Sequence, residues 1–530
     1  AASKKRDYDN LLIPSIISDT ANAVLNFETM DLKVNGVERF FVTQDFEIGI
    51  EPDSGSVVLQ RNRNVIYNGS IDAGDYKYSG KEFEFDYGAF LIQMPEIDSI
   101  QLSPRNEEGK QDGLRNNIAE TSGTLYLDRP DNKSGKEEFA SYPYFVTQSE
   151  SVVYFDGPEI LNGAYDKSVK FVIPPMEFEK IEDPDPESFY YPGTFTSNKI
   201  FPDFQDTLVV MPDQSLGFVH NIPPSGYELY GTPARTYETI RLDNNGIMGT
   251  GKIDFLNATI YSEDFLYYPD SVTADGYKGT IEPGTTGSGS YPQAEMGHFR
   301  MYWLPRKDSM YLKTVKDPFE FYHATADLVG EANITQKGVF GSGTMLTRGS
   351  EATSSEMTFK EFSYNARHTH FKVLSDNPSK PAMAGDDIRL DFDLTNNTAV
   401  VRPEQAGVAA ISFPYAQFKT SITQATWDLE DSVITMRKPE DVPIERSYFY
   451  TTREELDSLH FNGIDAVYDI NTYELKIEGI PYIEVADAKI IPDNNETTIL
   501  ENSVLQTFHE ADILIDYPEA THHLYNGTID

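Results

Sequence analysis

Apolar and polar residues alternate along most of this chain, and that periodicity restricts the fold more than anything else in it. The runs VIY (65–67), FEFDY (83–87), TLYL (124–127), SVVYF (151–155), TLVV (207–210) and ELKI (474–477) all read as strands. Successive side chains of a strand point to opposite faces, so a period near two predicts half-buried strands, not amphipathic helices. Turn clusters such as DSG (53–55), DNNG (243–246) and PDNN (492–495) separate the runs. Strands broken in this way indicate an all-β protein. The expected architecture is an elongated array of short strands, stacked as a solenoid-like or groove-like sheet, with helix only in short pieces. One such piece is predicted near Thr452, where Thr452 and Glu455 have capping-box spacing ahead of Leu456 and Leu459. A second is predicted over 114–119.

The chain has 530 residues, too many for one ordinary core, so several domains or a repeat array are expected. Its 32 Phe and 32 Tyr against 2 Trp suit pleated, half-buried surfaces. Four segments are read: an N-terminal β-repeat segment (1–102), a β-rich segment after a polar linker (103–240), a Gly-x-Gly strand-repeat segment (241–445) and a C-terminal β segment (446–530). The stretches 103–112, 182–187 and 282–290 read as linker, acidic loop and flexible Gly-rich loop.

Internal repetition supports an array. YNGTID (525–530) copies YNGSID (67–72) with one Ser-to-Thr change, which suggests that the sequence stops partway through a repeat. Gly249-Thr250-Gly251 leads to Ala258 and Phe265, and Gly341-Ser342-Gly343 leads to Ala352 and Phe359. LDFDL (390–394) and AVYDI (466–470) each run into an Asn-containing turn. Units of this kind stack so that each buries the apolar face of the next.

The strings IPSIISDTANAVLNF (13–27), YNGSIDAGDYKYSGKEFEFDY (67–87) and GTGKIDFLNATIYSEDFLYYPDSV (249–272) resemble large, poorly characterised secreted or envelope proteins of Bacteroidota-type bacteria. The likeness runs along the whole chain and carries no catalytic motif. More loosely, the Gly-x-Gly, strand, Ala, strand pattern is similar to the β-rich repeats of periplasmic lipid-transport bridges. What the resemblance implies is an extracellular, cell-surface or periplasmic location.

The formal charge is −42, from 85 acidic and 43 basic residues. Such a field repels nucleic acid, whose binders need a basic stripe, and favours cationic partners. Cysteine is absent, which removes disulfides, thiol catalysis and thiolate metal sites. No apolar run approaches the ~20 residues that span a bilayer. The polar, basic start at 1–10 fits a mature or internally cut segment.

Candidate constellations are few. His368 and His370 share a strand face, so both imidazoles can reach one Zn²⁺ or Cu²⁺, but no third ligand is named and a plain surface pair is the simpler reading. His522 and His523 point to opposite faces. Asp183, Asp185 and Glu187 have the opening spacing of a calcium loop, yet Ser188 and Thr194 stand where an EF-hand needs Gly and Glu. Ca²⁺ is therefore the one cofactor left open. Arg367 beside the two histidines is the only group suggesting lyase-like acid–base chemistry. The aromatic clusters 189–191, 267–268 and 448–450 and the segment around Trp303 can stack on sugars or fill a core. No P-loop, nucleophile elbow or H-E-x-x-H is present. The expected function is non-enzymatic: a structural or binding segment of a large envelope or surface protein. A lipid-transfer groove is one alternative, and a carbohydrate-binding or polysaccharide-degrading protein is another. Expected partners are other envelope proteins or glycans.

Overall fold

The computed structural model describes residues 11–17, 21–42, 48–103, 113–129, 142–178, 181, 189–405, 407–456, 459–515, 519 and 522–530. Among the described residues strands take up 58% and short helical turns 4%, with no helix of seven residues or more, so the fold is all-β. Among the described residues no helix is long and apolar enough to cross a membrane.

Two compact units are formed, one from 1–251 with 264–271 and the other from 252–263 with 272–530. Of the segment boundaries read from the sequence, 102/103 falls inside the first unit and 445/446 inside the second.

Three long strands show how the sequence builds both units. Tyr76–Asp86, Ala258–Tyr267 and Ser350–Phe359 share one order of burial. The first, third and fifth residues are buried, two consecutive residues are exposed, and burial resumes in the opposite phase. Such a slip requires an extra residue in mid-strand, a β-bulge, which bends the strand and sharpens its twist.

In the first unit the slips line up across neighbouring strands. Val65–Ala73 pairs with Tyr76–Asp86, which pairs with Leu91–Leu102, which pairs with Ile118–Tyr126. The register shifts at Tyr67/Gly69, Ser79/Gly80 and Met94/Ile97. At this row the sheet folds over. Tyr78 belongs to the half of the sheet that includes Ile71 and Ile100, and Phe145 to the half that includes Leu125. Their rings nevertheless pack with centroids 4.9 Å apart, so the two halves face each other across a core.

The second unit repeats the device. Ala326–Thr335, Gly338–Thr347, Ser350–Phe359, Ser363–Val373 and Met383–Asp393 form consecutive antiparallel pairs. Thr347 sits opposite Ser350, and Tyr364 sits opposite Phe359, at the other end of the same ten-residue strand. A straight strand of that length keeps its ends ~30 Å apart. Thr347 Oγ1 and Tyr364 OH are 3.2 Å apart, so the strands double back at the crease.

After Asp393 the two layers continue on separate short strands. Met383–Asp393 pairs through 388–393 with Thr398–Pro403 and through 384–385 with Ile411–Phe413. The first layer runs on through Ala425–Asp428, Val433–Arg437, Asp465–Asp469, Leu475–Glu478 and Glu496–Ile499. The second runs through Phe418–Thr420, Tyr448–Thr451, His460–Asn462, Ile483–Val485, Ala488–Ile491, Phe508–Ile515 and His522–Ile529. Phe413 and Tyr468 meet between the layers at 4.6 Å. The first unit splits in the same manner: Ile118–Tyr126 pairs with both Tyr144–Thr147 and Ser151–Tyr154.

Several expectations are corrected. Residues 114–119 form no helix, and Ile118 already begins a strand. The Leu114/Ile118 spacing imitates a helical face, but the Leu114 N–H donates to Leu102 O, and the Asn116 side chain pairs with the Leu216 backbone. Near Thr452 the short helical piece among the described residues is a 3₁₀ turn, Glu454–Leu456. The Thr452 hydroxyl donates to Gln417 O instead of capping that turn. The Gly-rich stretch 282–290 is ordered as the hairpin Gly284–Thr286 and Gly289–Tyr291, anchored by the buried Tyr291 phenol donating to Thr335 O. Both copies of the six-residue repeat lie in strands. Their Asn-Gly sits at a mid-strand bulge.

Asp residues at strand ends recur. The Asp86, Asp393, Asp428 and Asp469 carboxylates each accept backbone N–H groups of the turn that follows. Part of the acidic composition is therefore turn chemistry.

Candidate functional site

Among the described residues the densest charged constellation lies on the crease of the second unit, where crossing strands give way to split ones. In Ser363–Val373 the bulge exposes two neighbours in a row, Arg367 and His368, while Thr369 is fully buried. His370 then returns to the exposed face. The predicted sharing of one face by His368 and His370 is thus met. On the next strand Asp386 and Asp387 are also consecutive and exposed. His368 and Asp387 both take positive φ, 48° and 53°, a conformation that costs non-glycine residues energy.

Each histidine has its own carboxylate. His368 Nδ1 is 2.7 Å from Asp387 Oδ1, and His370 Nδ1 is 2.8 Å from Asp386 Oδ1. A carboxylate only accepts, so Nδ1 carries the proton in both rings. Glu404 is the hub. Arg367 Nε and Nη2 donate to its two oxygens at 3.1 Å each, and Arg389 Nη2 lies 3.6 Å away. The backbone ties the same groups together, since the Glu404 N–H donates to Asp387 O and the His368 N–H reaches Glu404 Oε1.

The Glu404 side chain is only 5% exposed. Hydrogen bonding from Arg367 outweighs the penalty of burial and holds its carboxyl down at about 2. His368 is raised above its ordinary value, chiefly by its bond to Asp387. The network pins a strained fold line with paired charges. Arg367 is committed to Glu404, which does not suit the lyase role suggested by its neighbours. Among the described residues no group of three or more His, Asp or Glu is arranged to hold a metal ion. The calcium-like residues Asp183, Asp185 and Glu187 lie outside the described residues.

A second constellation escaped the sequence. His220 Nδ1 is 2.7 Å from Asp206 Oδ2, and its Nε2 is 2.9 Å from Tyr227 OH. Phe204 stacks on the imidazole with centroids 3.9 Å apart. Burial, and then the charge of Asp206, push the Tyr227 phenol up, so it stays protonated and donates to His220. Asp206 also borders an open cavity of about 550 Å³ with Glu150, Pro192 and Gln205. The chain of bonds orders three strands but presents no activated nucleophile.

The aromatic clusters mostly fill the core. Phe189, Tyr191, Tyr267, Phe449 and Trp303 are at most 2% exposed, whereas Tyr190 is 58% exposed. His522 and His523 lie on the strand His522–Ile529, and the rings of His523 and Tyr525 are tilted against each other with centroids 3.6 Å apart.

Sequence reasoning found His368, His370 and Arg367 but missed Asp386, Asp387 and Glu404. One signal was present: the switch in apolar phase, from Tyr364 and Ala366 to Phe371 and Val373, marks the bulge that brings them together. No protein-family model matches the chain, and no curated protein matches it.

Proposed function

We propose that this chain is a non-enzymatic structural and binding segment of a large bacterial envelope or cell-surface protein, acting outside the cytoplasm as a spacer whose turns dock partners. What supports the reading is the interior. The two layers of each unit meet through large, fully buried side chains, including Tyr78 and Phe145 in the first unit and Tyr364, Phe371 and Tyr468 in the second. Side chains that touch across a filled core stiffen a scaffold and leave their volume to no other occupant. The acidic surface favours cationic partners and disfavours nucleic acid.

The competing lipid-transfer reading makes the opposite demand on the same interior. The purified chain is incubated with vesicles carrying a fluorescent phospholipid, re-isolated, and weighed by native mass spectrometry. The scaffold reading expects the bare mass and no retained fluorescence. Lipid bound at one or more molecules per chain would replace it with the conduit reading.

A further inference from the structure

The two edges of the folded sheet in the second unit close on each other away from the crease, and a small cavity of about 200 Å³ lies there. Its lining includes Gln293, Tyr322, His323, Arg348, Glu361 and Phe362. These residues come from four places in the chain, three of them turns: 322–325, 348–349 and 360–362.

The backbone around the cavity is bent at some cost. Tyr322, His323 and Ala324 are consecutive left-handed residues, with φ of 54°, 57° and 59°, and Arg348 has φ 29°. Left-handed runs of non-glycine residues persist only where the surroundings over-determine them. Here they do. The His323 N–H donates to Gln293 Oε1 at 2.6 Å, the Tyr322 phenol donates to Ser363 O at 2.8 Å, and Thr325 Oγ1 donates to Tyr322 O at 2.8 Å. Arg348 Nη1 donates to Asn397 Oδ1 at 2.7 Å, which fixes its fork.

The result is a preformed dent with one unusual wall. Phe362 is 59% exposed although it lies among polar groups. An aromatic face left in water beside oriented hydrogen-bonding groups suits a ligand with one apolar face and many hydroxyls. The charged lining is balanced, one guanidinium against one carboxylate, and the rest of the polar lining is uncharged or weakly basic: an imidazole, an amide and the hydroxyls of Tyr322, Thr325 and Thr395. A strongly anionic ligand would meet Glu361 and the net charge of −42, and a strongly cationic one would meet Arg348. The cavity is small beside the clefts that enclose drug-sized molecules, so it takes a single ring.

We propose that this cavity is a binding subsite for one neutral sugar ring, with Phe362 as the stacking platform and Arg348, Glu361 and Gln293 as hydroxyl partners. The proposal is independent of the scaffold reading, since a spacer with or without a lipid path can carry it. The experiment is saturation-transfer NMR on the whole chain with millimolar glucose, galactose, mannose, N-acetylglucosamine and N-acetylgalactosamine. At least one sugar should receive saturation on its ring protons. The signal should fall at least tenfold in both Phe362→Ala and Arg348→Ala, and it should persist in Tyr190→Ala, which removes an exposed aromatic of the first unit. Thermal melting of each variant reports whether it is folded. No transfer to any of the five sugars would overturn the proposal, as would transfer that survives Phe362→Ala and Arg348→Ala in folded protein.

Discussion

Two stretches of the second unit meet the same geometric demand differently. Between 326 and 393 each strand crosses the crease in one piece, so its backbone must bend there. Between 398 and 499 the two layers use different strands, and the chain leaves the sheet where a crossing strand would have bent. In the crossing region the cost is concentrated in a few residues: Gly330 and Gly343 have φ of 158° and 131°, and His368 and Asp387 are also positive. In the split region it is moved into connections such as the one between Glu404 and Ala410. A fold line can thus be built from strained residues that pack tightly or from loops that do not. The first should tolerate almost no change and the second a good deal.

The crossing region also divides within itself. Gly330 and Gly343 face each other, and their backbones approach too closely for any side chain. A Cβ added to Gly343 would lie 2.3 Å from Val329 O and 2.8 Å from Gly330 Cα. Two and three strands further on, the positive φ belongs to His368 and Asp387, whose side chains are exposed and pair with each other. Glycine accepts the conformation freely, whereas His368 and Asp387 offset part of its cost with charge.

The largest expected effect is therefore at Gly343. Gly343→Val sets a branched side chain against backbone that cannot move without unpairing three strands. It should cost ~3 kcal/mol or more and lower the melting temperature of this unit by about 10 °C. An unchanged melt would mean that the crease is soft, and the contrast between the two regions would disappear.

Glu404 comes next. Glu404→Gln leaves two guanidinium groups without their carboxylate and should cost about 2 kcal/mol at neutral pH, the range for hydrogen bonds to charged groups. The folded carboxyl is depressed to about 2, below its ordinary value of 4.5. Its contribution is therefore present above pH ~4.5 and is lost as pH falls towards ~2. Urea unfolding of both proteins at pH 7 and pH 3 should show the gap between them shrinking with acid. A gap that is constant with pH would show that packing, not charge, is what Glu404 supplies.

The His368–Asp387 pair should matter less, because both side chains are exposed. The folded value of His368 is raised, so its contribution is fully present below about 6.5, the unfolded value, and fades as pH rises through the folded one. The Hε1 resonance of His368 should titrate above the ordinary histidine midpoint, and Asp387→Asn should bring it back. A midpoint that ignores Asp387→Asn would leave the positive φ at 368 with no electrostatic compensation.

How much of this could be read in advance follows from the range of each interaction. Alternation is local, so the all-β class and most strands were legible from runs such as FEFDY. The bulges were also written in the sequence, as a change of apolar phase between Tyr76/Tyr78 and Phe83/Phe85 or between Ala352 and Met357/Phe359. Partnering was not. Arg367 and Glu404 are separated by 36 intervening residues, and nothing short of the sheet register brings them to 3.1 Å. His220 meets Asp206 and Tyr227 only because three strands order themselves around Phe204. The predicted helix at 114–119 failed because two apolar residues four apart fit a helix as well as a strand entry, and distant backbone partners decided between them.

The smallest effect is expected in the split region, and it tests the comparison from the other side. Gly407 lies in the connection that replaces a crossing. Its φ is 82°, and a Cβ there would meet nothing within 4 Å. Inserting Gly-Ser after Gly407 lengthens a connection that already bridges the two layers, and each doubling of a flexible loop costs only ~0.6 kcal/mol. The melting temperature should move by about 2 °C or less. The flanking anchors, Glu404 N–H to Asp387 O and Asp386 N–H to Ala410 O, stay in register because the added residues lie between them. A fall comparable to that of Gly343→Val would mean that the connection is itself part of the packed crease. The two regions would then be one kind of structure, and tolerance would have to be sought in the turns at the opposite edge.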